Sequence, residues 1–165
     1  PGPSALRYPR GAGIGVNLTE DYPEISKGRG EVILNGKDLT IVALGPLVYT
    51  ALKAARHLKQ RGINAAVINP RFVKPMDSSL LVKYAGKTRR VVTIEENVLA
   101  GGFGSACLEI LNKLCPSAEV EMIGLPDVFI GHGSGDILKE EYGIFAPEIV
   151  KRVLSRWFLV KEQQR

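Results

Sequence analysis

From about residue 31 onward, two kinds of apolar spacing alternate: short runs of β-branched residues, and longer stretches in which apolar positions recur every three to four residues. The first kind reads as strand and the second as amphipathic helix. Residues 31–34 and 39–44 are apolar runs flanking Asn35-Gly36-Lys37-Asp38, and Asn-Gly between such runs predicts a hairpin, with the first strand antiparallel to the second. Gly45-Pro46 then opens a predicted helix whose stripe is Leu47, Val48, Ala51, Leu52, Ala55 and Leu58, closing at Arg61-Gly62. Residues 63–69 form the next strand, and Asp77 reads as the N-cap of a helix carrying Leu80, Leu81 and Tyr84. The run 90–94 (RVVTI) suits a strand buried on both faces. A glycine turn follows, then a helix with Ala106, Cys107, Ile110, Leu111 and Leu114 on one face and Ser105 as its candidate cap. Residues 119–124 alternate as an edge or half-buried strand does, and helices over 136–142 and 147–158 finish the pattern, the second with Trp157 on its core or interface side. With right-handed crossovers this order predicts an α/β fold: a three-layer α/β/α sandwich on a mixed, mostly parallel five-stranded sheet whose first strand is antiparallel.

The pattern changes before residue 31. Residues 1–10 contain one short extended run with no local partner, and residues 11–30 are rich in glycine and poor in apolar side chains, as a linker is. We therefore expect residues 1–10 to be the tail end of a preceding, missing domain, 11–30 a linker, 31–160 the folded domain and 161–165 a tail. A first residue other than methionine fits a piece of something longer. At 165 residues, with 45% hydrophobic and 24% charged, the chain suits one globular domain. The net charge of +5 arises partly from Lys151, Arg152, Arg156, Lys161 and Arg165, a solvated helix face and tail. With only 7% aromatic residues, mostly at positions that read as buried, the charge does not amount to a nucleic-acid surface. No run approaches membrane-spanning length. Cys107 and Cys115 are eight positions apart on one helix and read as reduced thiols; with isolated His57 and His132 they give no metal-ligand spacing.

The candidate chemistry gathers where the strand 90–94 ends in Glu95-Glu96 and the chain turns through Gly101, Gly102 and Gly104 into a helix. Free amides at a helix start bind anions, but two carboxylates beside them would repel a phosphate, and Gly-Gly-Phe-Gly lacks the dinucleotide and P-loop spacings. The corner therefore reads as close packing or a domain contact, with Glu95 and Glu96 expected to pair with Arg71 or Lys74 across the sheet edge, or with a neighbouring domain. His57 reads as a surface histidine, and His132, between two glycines, as a hydrogen-bonded loop residue with no nucleophile beside it.

Four motifs stand in order: residues 2–11 (GPSALRYPRG), 71–77 (RFVKPMD), 95–105 (EENVLAGGFGS) and 124–134 (GLPDVFIGHGS). Together they resemble the C-terminal region of the 1-deoxy-D-xylulose-5-phosphate synthases, within the transketolase-like thiamine diphosphate enzymes. The resemblance implies a transketolase C-terminal-like domain over 31–160. It implies an enzyme that condenses pyruvate with glyceraldehyde 3-phosphate and releases carbon dioxide, cytoplasmic or plastid in location. It also implies thiamine diphosphate and magnesium as cofactors in the full enzyme, held by residues outside this chain, and a homodimer as the assembly. Arg10 matches the family arginine that contacts the acceptor's phosphate; no catalytic, cofactor or metal residue is carried over, and the isolated chain is expected to be inactive. Tyr8, Arg71, Glu95, Glu96, Gly101 and Gly102 are structural or domain-contact candidates. The rival readings are a non-catalytic interaction module, a stand-alone phosphate binder built on the glycine corner, and the C-terminal domain of another transketolase-like enzyme, a transketolase or a 2-oxo acid dehydrogenase beta subunit.

Overall fold

The computed structural model describes residues 2–6, 8, 13, 15 and 24–159. Five strands, β1 (Glu31–Leu34), β2 (Leu39–Ala43), β3 (Ala65–Asn69), β4 (Arg90–Val98) and β5 (Glu119–Leu125), form one sheet in the order β1-β3-β2-β4-β5. β1 runs antiparallel to β3, and all other pairs are parallel. Residues alternate across the strands, so Ile41 and Val67 face one side while Val42 and Ile68 face the other, and each side carries its own core. Helices α1 (Leu47–Lys59) and α5 (Ala146–Val153) cover the first side; α2 (Ser78–Thr88) and α3 (Phe103–Leu114) cover the second. A short helix, α4 (Gly135–Glu141), sits beyond the end of β5. This is the expected three-layer α/β/α sandwich.

Helices α1 and α2 form for the predicted reasons. In α1 the stripe Leu47, Val48, Ala51, Ala55 and Leu58 is buried, and His57 lies on the exposed face. Asp77 caps α2, its carboxylate accepting the Leu80 amide at 3.0 Å. In α3, Cys107 and Leu111 are buried, but Leu114 in the last turn is exposed. The C-terminal helix is shorter than expected: α5 ends at Val153 and gives way to a π-helical turn, Leu154–Phe158. There Trp157 is half-buried and its indole N–H donates to Glu119 at 2.9 Å.

The hairpin is not formed. β1 pairs with β3 instead of β2, because both edges of β2 are occupied by parallel partners, β3 and β4. The connection 35–38 crosses the start of β3, where the Lys37 and Asp38 amides both donate to the Asn64 carbonyl, at 2.9 and 3.0 Å. Gly36 is pressed so closely on this strand that a Cβ there would lie 2.1 Å from the Ala66 nitrogen.

Candidate functional site

β4 alternates through Val91, Thr93 and Glu95 on the side facing α3. Glu95 therefore points inward and is completely buried. Its two oxygens accept the first free amides of α3, Oε2 from Phe103 and Oε1 from Gly104, both at 2.7 Å. A carboxylate supplied from eight residues upstream thus satisfies the helix terminus and opposes its positive end. The glycines serve this carboxylate. A Cβ at Gly102 would stand 2.5 Å from Glu95 Oε2, one at Gly104 2.7 Å from Thr93 Oγ1 and 3.2 Å from Glu95 Oε1, and one at Gly124 3.0 Å from Glu95 Cγ. Gly101, at φ +71°, makes the turn itself. The anion site that a glycine-rich helix start offers is filled from within the chain.

The contacts expected at this corner are replaced by others. Glu95 pairs with backbone amides and not with Arg71 or Lys74, because its place in the strand alternation turns it into the core. Glu96, one residue on, faces out and meets Lys139 of α4 at 3.2 Å, an ion pair absent from the sequence reading because α4 lies more than forty residues away. Arg71 reaches back to Glu31 on the neighbouring edge strand at 2.5 Å. Ser105 is not the cap; its hydroxyl donates to the Leu99 carbonyl at 2.6 Å and accepts the Gly101 amide at 3.2 Å, closing the turn ahead of the helix.

Around this corner, Cys107 is buried one turn into α3 with its sulfur 3.7 Å from Met76 Sδ, while Cys115 is half-buried at the helix end. Burial pushes the Cys107 thiol up to about 12, with the charge of Glu95 adding to the shift. Thr93 Oγ1 is buried without a hydrogen-bond partner. On the other side of β4, a cleft of about 300 Å³ opens between Glu96, Leu125, Ile130, Leu138, Lys139 and Ile144. His132 lies exposed in the loop that follows β5. Among the described residues no three of His, Cys, Asp and Glu gather as metal ligands, and no helix is long and apolar enough to cross a membrane. Tyr8 is exposed, and Arg10 lies outside the described residues.

A diphosphate does not fit the glycine corner. The two amides that would hold it are bonded to Glu95, and an added anion would meet the same oxygens. The corner as built does structural chemistry.

Comparison with known proteins points to the family that the motifs resemble. The family model described as "Transketolase, C-terminal domain" matches residues 28–149. The 1-deoxy-D-xylulose-5-phosphate synthase of Heliobacterium modesticaldum is 50% identical over 150 residues, covering 91% of this chain and 23% of that protein. Its counterpart in Trichormus variabilis is 45% identical over 158 residues, covering 95% of this chain and 25% of that protein. A solved structure, "Split gene transketolase, inactive beta4 tetramer", superposes with a TM-score of 0.76 at 42% identity, over 81% of this chain and 43% of that one. The chain thus spans about a quarter of the length of the curated relatives it matches.

Proposed function

The chain belongs to the transketolase C-terminal domain family, and on that premise we propose that it is the C-terminal domain of an enzyme that condenses pyruvate with glyceraldehyde 3-phosphate to 1-deoxy-D-xylulose 5-phosphate and carbon dioxide. The observation that carries this reading is identity of 42–50% to such synthases across more than nine-tenths of the chain. In the complete enzyme, thiamine diphosphate and magnesium supply the carbon chemistry, on residues that this chain does not provide. The domain contributes packing against the preceding domains and support for a homodimer, together with one substrate contact, the Arg10 guanidinium on the acceptor's phosphate. The setting is a bacterial cytoplasm or a plastid.

Two measurements test it. Titrated with thiamine diphosphate and magnesium, the isolated chain gives no saturable heat at micromolar concentration; binding there would overturn the reading. In the complete enzyme, Arg10→Ala removes a planar fork from phosphate oxygens. Loss of such a charge-assisted bond, worth about 1.5–3 kcal/mol, lowers kcat/KM for glyceraldehyde 3-phosphate by roughly 10- to 150-fold. Unphosphorylated glyceraldehyde keeps nearly its full rate. Equal losses with both aldehydes would place the phosphate anchor elsewhere.

The likeness to a transketolase structure keeps one second reading, the same domain in another transketolase-like enzyme. Use of a ketose phosphate instead of pyruvate as donor by the complete enzyme would select it.

A further inference from the structure

The two ends of the sheet differ in what they show to solvent. At the amino end, the connections into the parallel strands expose mainly polar groups, Lys37, Gln60, Arg61, Arg89 and Ser117, with Leu34 and Leu114 as the exposed apolar side chains among them. At the carboxyl end, the segments after four different strands each display an apolar side chain. Tyr49 stands in the first turn of α1, after β2; Val73 in the loop after β3; Val98 at the end of β4; and Val128, Phe129 and Ile137 follow β5. Phe129 carries no cover from the described residues, its relative exposure being 105%. Single exposed apolar residues are ordinary, but a set drawn from separate connections onto one end of a sheet marks a contact surface.

The path of the chain says what covers it. Residues 24–30 run in at this same end: Gly28 lies against Pro75, and the Gly30 amide donates to Asp77 at 3.1 Å, both in the stretch that links β3 to α2. The relatives are about four times longer, and the matched family is that of a C-terminal domain. We infer that the carboxyl end of this sheet is the face covered by the preceding domains of the same polypeptide, with Phe129 as the anchor seated in an apolar pocket of that partner. The inference rests on the domain reading above and names its surface. A large, rigid aromatic at the centre of a contact carries a disproportionate share of its affinity.

The test titrates this chain into the Heliobacterium modesticaldum relative shortened by the region that the chain matches. Wild-type chain binds one to one. Phe129→Ser, a change at a fully exposed position, keeps the melting temperature and weakens binding by about ten-fold or more. Leu114→Ser, on an exposed apolar residue away from the carboxyl end, binds as wild type does. If wild type binds and Phe129→Ser binds equally well, the surface is wrong while the domain reading stands. If Phe129→Ser abolishes self-association of the chain and leaves binding to the shortened relative intact, the face belongs to a second copy and the inference falls. Failure of the wild type itself to bind overturns both.

Discussion

Glu95 shows how one side chain decides what a glycine-rich corner does. Its carboxylate accepts two buried amides, so Glu95→Gln sets a donor against a donor at one of them and should destabilise the chain by about 2–4 kcal/mol, read as a shifted urea midpoint with an unchanged slope. An unmoved midpoint would mean that the amides find other partners. Glu95→Ala leaves both amides bare beside three glycines, and sodium formate should raise the melting temperature of that variant but not of the wild type, with sodium chloride as control. The thiols give a second check. Cys107 is held up to about 12 against an ordinary value of 9.0, so its folded form keeps a proton that the unfolded form loses. Its stabilising effect is complete below about pH 9 and is lost as pH rises toward 12. In native protein a thiol reagent should label Cys115 first and leave Cys107 until the chain unfolds; rapid labelling of both would mean that α3 opens readily.

Among the elements, those with a local signature were legible in the sequence. The stripe of α1, the Asp77 cap of α2 and the β-branched run of β4 each need only a few neighbouring residues to specify them. β1 was legible as a strand but not in its pairing, because its partner is chosen by which edges remain free after the parallel strands assemble, a property of the whole sheet. The corner was legible as a place of close packing but not in the partner of Glu95: the alternation of Val91 and Thr93 continues through Glu95, one step past the apolar run, and that step turns the acid inward as a cap. Lys139 left no local signal of its role toward Glu96. Two glycines separate packing from propensity. Gly36→Ala places a methyl against the Ala65–Ala66 backbone and should cost about 3 kcal/mol or more, with β1 losing its amide protection first. Gly86→Ala, in the exposed interior of α2 with no atom within 4 Å, should stabilise by about 1 kcal/mol. Equal effects from the two would mean that the crossing over β3 is loose.

At the scale of the molecule, the sheet divides the interior into two cores that are completed by different parts of the chain. The α2–α3 core draws on residues up to Val120, whereas the α1 core is closed by Ile144, Ala146, Ile149, Val150 and Val153. A chain ending at Tyr142 should therefore keep much of its helical signal yet bind a hydrophobic dye and lose cooperative melting; a sharp transition in that variant would show that α5 is dispensable. The same division sets a schedule during synthesis. At about 5–20 residues per second, roughly 1–6 seconds separate the translation of β5 from that of α5. Through that interval the nascent domain has one face of its sheet covered by α2 and α3 and the other by α1 alone, a state in which a ribosome-associated chaperone has a defined surface to hold.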